Sequence, residues 1–403
     1  TVSQAAFEAL FEDEIPDNGI DDEHNGFVDD IWGWDFSGDN DLNIQEDNDP
    51  TDFFGHGTHV AGIIGAVRDN TIGVAGVALD CKILPVKIYP NLFYSVASNA
   101  IIYAAQNGAD VINMSWGGNF PSKLLEETIE YAYNQGVVLI ASAGNIDTNQ
   151  NQIIYPAVYE QVISVGATNS QDQRTYFSNF GDFLDVVAPG EDILSLRAFG
   201  TDMYASLDEP QVHILAEQYY LSDGTSMSAP VVSGIAASLV ATSSGLTNQK
   251  IKEIIQNSAD DLTDPNGTGQ HLFGWDPYSG FGRVNLNKAL DFISGYLAQI
   301  SSPKPFSIVS GEIQIIGTAA GDSFQSYQLE YGEGINPNSW NLINSSISKI
   351  SDSALGVWNS TGLNGIYSLR LRVGSGDVYK TLVFTSNSAV SEINFPIDQD
   401  TVS

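Results

Sequence analysis

The segment at 136–145, Gly136-Val-Val-Leu-Ile-Ala-Ser-Ala-Gly-Asn145, decides the fold of this sequence. Its apolar residues form one continuous run, which is typical of a strand buried on both faces. The residues just before it, PSKLLEETIEYAYNQG at 121–136, have the apolar spacing of an amphipathic helix. A buried strand next to such a helix predicts an α/β domain, in which helices cover both faces of a parallel sheet.

The same alternation extends in both directions from this segment. The other predicted buried strands are CKILPVKI (81–88), DVINMSWGG (110–118), QVISVGAT (161–168) and FLDVVAPG (183–190). Two further predicted helices are ASNAIIYAAQNG (97–108) and SMSAPVVSGIAASLVATSS (226–244). We therefore place an α/β domain at residues 1–297.

The character of the sequence changes after Leu290. Two prolines occur in SSPKPF at 301–306, and beyond them come short alternating segments such as EIQIIGTA and YSLRLRVG. Helical periodicity is lost there, and turns rich in Gly, Asn and Ser separate the strands. This predicts a linker at 298–306, followed by a β-sandwich of the immunoglobulin or fibronectin type III kind at 307–403.

Composition excludes several classes of function. The chain of 403 residues has 50 acidic and 15 basic side chains, a formal charge of −35, which disfavours binding to nucleic acid or to anionic membranes. It shows no apolar run of the ~18 residues that a membrane span needs, and no signal-peptide pattern at its start. Cys81 is the single cysteine, so no disulfide forms within the chain. We expect a monomer.

Two short motifs carry groups suited to nucleophilic catalysis. Gly-His-Gly-Thr-His-Val-Ala-Gly at 55–62 sets His56 among glycines at the start of a predicted helix. Asp-Gly-Thr-Ser-Met-Ser-Ala-Pro at 223–230 sets Ser226 at the start of another, where free amides and the helix dipole favour negative charge. With Ala-Gly-Asn at 143–145 between them, these motifs resemble those of the subtilisin-like serine peptidases.

The resemblance implies a role for each residue. Ser226 is then the nucleophile, His56 the general base, and the Asn145 side chain with the Ser226 amide the donors that bind the oxyanion. His59, three residues after His56, is interpreted as structural. The family further implies a secreted endopeptidase that acts on polypeptides.

The family's catalytic aspartate is not found in the sequence. No segment before Glu14 resembles an apolar strand that ends in the family's Asp-Thr-Gly or Asp-Ser-Gly. Asp35 matches a structural position of the family pattern rather than the catalytic one. Two hypotheses follow: an active enzyme truncated at its N-terminus, or a catalytically inactive scaffold that serves as a binding module. Retention of the other three site residues favours truncation. A lipase or esterase is disfavoured because Ser226 does not lie in a G-x-S-x-G elbow.

An acidic loop at 21–30, Asp-Asp-Glu-His-Asn-Gly-Phe-Val-Asp-Asp, has the ligand spacing of a calcium loop. The expected ligands are Asp21, Glu23, Asn25, the Phe27 carbonyl and Asp29. Trp32 stands where an EF-hand has a bidentate Glu, so a solvated acidic turn is the alternative. The segment Asp69–Val74 resembles a second calcium loop of the family.

The resemblance also indicates how substrate binds. Residues 114–118, Met-Ser-Trp-Gly-Gly, would pair with an extended substrate through main-chain hydrogen bonds, which predicts broad specificity. Ile154 matches a position at the base of the primary pocket. A side chain of this size there predicts a shallow apolar pocket.

Overall fold

The structure is a computed structural model. It describes residues 14–15, 18–38, 45–78, 80–145, 154–203, 214–243, 245–262, 264, 274–294, 297–304, 307–321, 324–334, 337–374 and 377–385. The chain divides into two compact units, one of Thr1–His271 with Asp276–Leu290 and one of Leu272–Trp275 with Asp291–Ser403.

The first unit contains nine of the described strands. They are β1 (Trp34–Asp35), β2 (Val86–Lys87), β3 (Val111–Met114), β4 (Val138–Ser142), β5 (Val162–Thr168), β6 (Val186–Pro189), β7 (Ile193–Leu196), β8 (Ile214–Leu215) and β9 (Tyr219–Ser222). Strands β3-β4-β5-β6 form a parallel sheet, β1 and β2 form a separate parallel pair, and β7-β9-β8 form an antiparallel sheet.

Helices complete the predicted α/β arrangement. They are α1 (His56–Gly65), α2 (Tyr94–Gln106), α3 (Lys123–Asn134), α4 (Thr225–Thr242), α5 (Asn248–Ser258) and α6 (Leu286–Ser294). Helix α3 begins where the Ser122 hydroxyl accepts a hydrogen bond from the Leu125 amide. Helix α4 packs against all four strands of the parallel sheet. It is long and apolar enough to span a membrane, and 61% of that stretch is buried inside the protein.

The strands of the first unit differ in burial. Every residue of β4 and β5 is buried, whereas β2 and the first three residues of β3 are partly exposed. The prediction of buried strands at 81–88 and 110–118 is therefore wrong in this respect. The reason is a cavity of about 1690 Å³ that borders both segments.

All the described elements that lie wholly within the second unit are strands. They are β10 (Leu297–Ser302), β11 (Ile308–Val309), β12 (Glu312–Ala320), β13 (Tyr327–Glu333), β14 (Asn341–Ser346), β15 (Ile350–Asn359), β16 (Gly365–Val373) and β17 (Asp377–Thr385). They form two sheets, β10-β12-β15 and β11-β17-β16-β13-β14, in which β11–β17 is a parallel pair and the other pairs are antiparallel.

One apolar core joins the two sheets of this unit. Leu355 and Trp358 from β15 lie in the same buried cluster as Leu329 from β13 and Leu369 from β16. The predicted linker at 298–306 needs correction, because β10 occupies most of it and pairs with β12. The Pro-containing segment suggested a linker, but its apolar residues just before the prolines are needed in this core.

Candidate active site

The three predicted catalytic residues lie at the ends of regular elements. His56 is the first residue of α1, Ser226 is the second residue of α4, and Asn145 follows shortly after β4. Glycines precede both helices: Gly55 has φ 106° and Gly224 has φ 144°, conformations that side-chain-bearing residues rarely adopt. The motif glycines therefore fix how the chain enters each helix.

The Asn145 side chain is held in one orientation by Thr225. Its Oδ1 accepts hydrogen bonds from the Thr225 amide at 2.8 Å and from the Thr225 hydroxyl at 2.7 Å. Because both contacts need an acceptor, the Nδ2 group lies on the other side of the amide. A Cβ on Gly224 would lie 3.1 Å from this nitrogen. The donor thus lies beside the turn that leads into Ser226.

The Ser226 hydroxyl is bound to the end of β3. It donates to the carbonyl oxygen of Ser115 at 3.1 Å, and the Ser115 hydroxyl donates back to the Ser226 carbonyl at 2.8 Å. The Asn113 amide donates to the Ser115 hydroxyl at 3.0 Å. This reciprocal pair fixes the start of α4 against the parallel sheet. The serine must release the Ser115 carbonyl before a base can take its proton.

His56 is the second polar group of the site. Burial lowers the pKa of its imidazole, and the charge of Asp52 opposes this shift. Asp52 accepts hydrogen bonds from the amides of Phe54, Gly55 and Thr58, so it stabilises the start of α1. Within the part of the chain that the structure describes, no carboxylate is hydrogen-bonded to the His56 ring. Sequence reasoning missed Asp52, whose signal is its place shortly before the helix.

Asp35, which we considered as a substitute for the catalytic aspartate, is used elsewhere. It is buried, lies 2.7 Å from the Lys87 ammonium group, and accepts hydrogen bonds from the amides of Ser37 and Gly38. These contacts balance the negative charge of the Asp35 carboxylate and hold it within the β1–β2 region.

His59 has a different environment from His56. Its ring is fully buried, and Nε2 lies within hydrogen-bond distance of the carbonyl oxygens of Ile193 at 3.1 Å and Tyr220 at 3.0 Å. Burial lowers its pKa to about 4. A neutral His59 that donates from Nε2 therefore connects α1 to β7 and β9.

Part of the predicted calcium loop forms a carboxylate cluster. Ligand atoms of Glu14, Asp21 and Glu23 all lie within 4.8 Å of one another. The Asn25 amide donates to Glu23 at 2.8 Å and to Asp30 at 3.1 Å. Glu23 Oε2 and Asp30 Oδ1 are buried and make no hydrogen bond. Burial raises the pKa of Asp30, and the charge of Asp21 adds to this.

The cluster differs from the predicted ligand set. Asp29 directs its carboxylate to the amides of Asn18 and Gly19, both at 2.9 Å, so it does not join Asp21 and Glu23. The Phe27 ring packs against Trp34, Phe36 and Tyr103, and its carbonyl as a ligand stays a prediction. The sequence count missed Glu14, which lies outside the loop.

The second predicted calcium loop, Asp69–Val74, would bind through the Asn70 side chain and main-chain carbonyls, and it stays a prediction. Its Asn70 side chain accepts a hydrogen bond from the Ile72 amide at 2.9 Å, which closes the local turn. Among the described residues, one group of three or more His, Cys, Asp or Glu side chains lies close enough together to hold a metal ion, and it is the group of Glu14, Asp21 and Glu23.

The predicted substrate-binding segment borders a small pocket. A cavity of about 260 Å³ is lined by Leu92, Phe93, Tyr94, Trp116, Gly117, Gly118, Asn119 and Phe120. Gly118 exchanges two main-chain hydrogen bonds of 2.9 Å with Tyr155. Ile154 is buried so close to Gly117 and Gly144 that a Cβ on either glycine would overlap it.

Comparison with known proteins identifies the family. The model of the subtilase family matches residues 15–275. This chain belongs to the subtilase family. Subtilases are serine endopeptidases.

Several known proteins resemble this subtilase. It is 37% identical over 284 residues to a thermophilic serine proteinase of Bacillus sp. (strain AK1), an alignment of 69% of this chain and 61% of that protein. It is 36% identical over 282 residues to thermitase of Thermoactinomyces vulgaris, covering 69% of this chain and 88% of thermitase. The structure of a protease from Pseudoalteromonas arctica PAMC 21717 matches with a TM-score of 0.55 and 28% identity, over 64% of this chain and 83% of that one.

Proposed function

We propose that this subtilase is a secreted, calcium-binding endopeptidase that cleaves peptide bonds through an acyl-enzyme on Ser226. Its substrates are polypeptides, bound in extended form along residues 114–118. The observation that carries the proposal is the orientation of Asn145, whose Oδ1 is occupied by Thr225 at 2.7 and 2.8 Å. An amide fixed in this way beside a helix N-terminus suits the stabilisation of a developing negative charge.

The proposed reaction begins at the Ser226 hydroxyl. Its oxygen attacks the carbonyl carbon of the substrate while neutral His56 takes the proton. The oxyanion then accepts hydrogen bonds from Asn145 Nδ2 and from the Ser226 amide. Collapse breaks the C–N bond, His56 gives its proton to the leaving amine, and the acyl group remains on Ser226. Water hydrolyses this ester with His56 again as the base.

The lowered pKa of His56 supports its role as the base. Burial favours the neutral imidazole, which is the form that can accept a proton near neutral pH. The inactive-scaffold hypothesis is less well supported. An inactive scaffold gives no reason why the buried Thr225 should donate both its amide and its hydroxyl to Oδ1 of the exposed Asn145.

A serine-directed fluorophosphonate tests this function. We expect it to label the chain at Ser226, to leave Ser226→Ala unlabelled, and to label His56→Ala more slowly than wild type. Serine proteases that lack a triad residue still retain roughly 10³–10⁴-fold catalysis over water, so slow labelling is measurable. Equal labelling of wild type and Ser226→Ala would contradict the proposal.

Calcium binding in the acidic loop is part of the proposal. The cluster of Glu14, Asp21 and Glu23 fits a hard cation, because their ligand atoms lie within 4.8 Å of one another and the buried Glu23 Oε2 has no hydrogen-bond partner. A bound calcium ion would neutralise these carboxylates. Calcium loops of extracellular proteins have dissociation constants of about 10⁻⁴–10⁻³ M. Calcium binding in that range suits a secreted protein, so we propose the two together. Calorimetric titration tests the affinity.

The C-terminal unit is proposed to be an accessory domain of the immunoglobulin or fibronectin type III kind. Two mainly antiparallel sheets that share one buried core support this assignment. We further propose that the chain acts as a monomer, which light scattering tests directly.

A further inference from the structure

The helix that carries Ser226 contains a proline one turn further on. Helix α4 begins at Thr225, and Pro230 lies inside it, four residues after Ser226. In an α-helix the amide of residue i+4 donates to the carbonyl of residue i, but proline has no amide hydrogen and its ring crowds that carbonyl. The Ser226 carbonyl thus lacks the donor that its own helix would normally supply.

Ser115 supplies a donor to this carbonyl from the neighbouring strand. Its hydroxyl, directly after β3, donates to the Ser226 carbonyl at 2.8 Å. Ser115 is buried, so water has little access to compete for the same acceptor. The Ser115 hydroxyl therefore takes the place of the amide hydrogen that Pro230 lacks.

Two further side chains fix the direction of this hydrogen bond. Because the Ser115 hydrogen is used on the Ser226 carbonyl, the Ser115 oxygen must accept from the Asn113 side chain, which lies 3.0 Å away. The Asn113 nitrogen therefore faces Ser115. Its Oδ1 faces the other way and accepts from the hydroxyl of the buried Ser233 at 2.8 Å.

The resulting series of hydrogen bonds begins and ends on α4. Ser233 follows Ser226 by seven residues, about two helical turns, so both lie on the same face of the helix. Every group donates in one direction, from Ser233 through Asn113 and Ser115 to the Ser226 carbonyl. Hydrogen bonds aligned in this way polarise and strengthen one another. Helix α4 thus holds its own first turn through two side chains of the central sheet.

Ser226 and Ser115 make two hydrogen bonds, which differ in what the reaction requires of them. The Ser226 hydroxyl donates to the Ser115 carbonyl at 3.1 Å, and this bond must break before a base can take the proton. The Ser226 carbonyl accepts from the Ser115 hydroxyl, and this bond can stay intact. The main chain of the nucleophile therefore keeps its place while its side chain turns to the base.

We propose that the side chains of Asn113, Ser115 and Ser233 are positioning residues, which hold the nucleophile because its helix lacks one amide hydrogen. Their role in the reaction rests on the proposed function of Ser226. Loss of one neutral hydrogen bond costs about fivefold, and a displacement of about 1 Å near the reacting atoms can cost 10²-fold. The effect falls on the rate of attack, because residues 114–118 bind the substrate through their main chain.

A tripeptide diphenyl phosphonate tests the proposal on the full chain. The reagent binds as a peptide does and then reacts with a nucleophilic serine, so its saturation kinetics separate the rate constant of attack from the half-saturating concentration. Ser115→Ala should lower the rate constant of attack about tenfold and change the half-saturating concentration by less than about twofold. A rate constant within about twofold of wild type, or a change in the half-saturating concentration alone, would overturn the proposal.

Pro230→Ala provides the rescue experiment, because it restores the missing amide hydrogen within α4 itself. In the Ser115→Ala background it should return the rate constant of attack to within about threefold of wild type. As a single change it should alter this rate constant by less than about threefold, since the Ser115 hydroxyl is still present. Rate losses that multiply in the double variant would overturn the proposal. A role of Ser115 in substrate binding alone predicts no rescue.

Two serines of α4 form a matched pair for the control. Ser233 and Ser238 each donate to the carbonyl four residues earlier, at 3.2 and 2.9 Å, but Ser233 also donates to Asn113. Ser233→Ala should lower the rate constant of attack about threefold, and Ser238→Ala should leave it unchanged, with both rates expressed per folded molecule. Equal rates in these two variants would overturn the role of Ser233.

Failure of the proposed function would give a different result from failure of the positioning role. If Ser226 is not the nucleophile, the reagent leaves it unlabelled in wild type, which overturns both proposals. If Ser226 is labelled in wild type and Ser115→Ala reacts as fast, the proposed function stands and the positioning role falls.

Discussion

The Ser226 side and the His56 side of the active site differ in how completely the chain supports them. Ser226 and Asn145 have hydrogen-bond partners that fix both groups, supplied by Ser115 and Thr225. The His56 ring has no hydrogen bond among the described residues, and it borders a cavity of about 1690 Å³. The contrast teaches that contacts between distant segments hold the nucleophile and the amide donor, namely Ser115 with Ser226 and Thr225 with Asn145, whereas the described residues provide no such contact to the His56 ring.

The sheet shows the same contrast. Helix α4 packs against all four strands, but β4 and β5 are buried throughout and β4 leads to Asn145, whereas the first three residues of β3 are partly exposed and border the same cavity as His56.

Replacement of Asn145 tests the well-supported side. We expect Asn145→Ala to slow labelling of Ser226, and peptide hydrolysis, by roughly 10²–10³, a loss measured for the equivalent donor of a subtilisin. Asn145→Ala also removes the acceptor for the amide and the hydroxyl of buried Thr225, so the melting temperature should fall by a few degrees, and the rates are compared at a temperature where both proteins are folded. Asn145→Asp keeps the shape and replaces the donor with a charge, so it should be slower still. A rate within twofold of wild type for either variant would remove Asn145 from the oxyanion site.

The second prediction concerns His59, the histidine of α1 that does have partners. Its pKa of about 4 lies below the ordinary 6.5, so the unfolded state binds more protons in this interval. The neutral His59 ring therefore contributes its full stabilisation above pH 6.5, and the free energy of unfolding falls by about 3 kcal/mol as the pH falls toward 4.

Urea unfolding at pH 7 and pH 4 measures this effect. His59→Gln keeps a donor for the two carbonyls. Between pH 7 and pH 4 its free energy of unfolding should fall by about 3 kcal/mol less than that of wild type. His24→Gln changes an exposed histidine and should behave as wild type. Equal losses in wild type and His59→Gln would mean that His59 titrates normally.

The third prediction tests whether unpaired carboxylates indicate a cation. With calcium at 100 times its dissociation constant, binding should stabilise the chain by about 2.7 kcal/mol, and a chelator should remove this. Glu23→Gln should weaken the response. Glu130→Gln removes the same charge from an exposed position on α3, outside the cluster and outside both predicted calcium loops, and should retain the response. A chelator effect that is the same in wild type and Glu23→Gln would place the ion elsewhere.

Local sequence patterns predicted the parts of this molecule that depend on neighbouring residues. The continuous apolar run of β4 and the glycines before His56 and Ser226 are local features, and the structure has the corresponding elements. Asp29 shows where this reasoning ends. Spacing made it a ligand, but its carboxylate turns to the amides of Asn18 and Gly19, because a preceding turn competes for it.

Long-range packing explains the other differences. The exposure of β2 and β3 depends on the cavity of about 1690 Å³ that borders both strands, and their own apolar residues contain no information about it. The linker prediction failed for a similar reason, since the pairing of β10 with β12 is set by the core of the second unit. Thr225 was missed because its partner Asn145 lies 80 residues away in sequence.

The smallest expected effect concerns Thr225, which directly precedes Ser226 and binds Asn145, the two residues of the proposed oxyanion site. Thr225→Val removes the hydroxyl that donates to Asn145 and leaves the main-chain donor in place. One hydrogen bond is worth about 1 kcal/mol, so labelling of Ser226 should slow by a factor of about five. If Thr225 acts through Asn145, the same change in an Asn145→Ala background should have almost no effect on the rate. The Gly144 amide also donates to the Thr225 hydroxyl. Thr225→Val should therefore lower the free energy of unfolding by a similar amount in the wild-type and Asn145→Ala backgrounds, which urea unfolding measures. Rate losses that simply multiply in the double variant would show that Thr225 supports the helix start independently of Asn145.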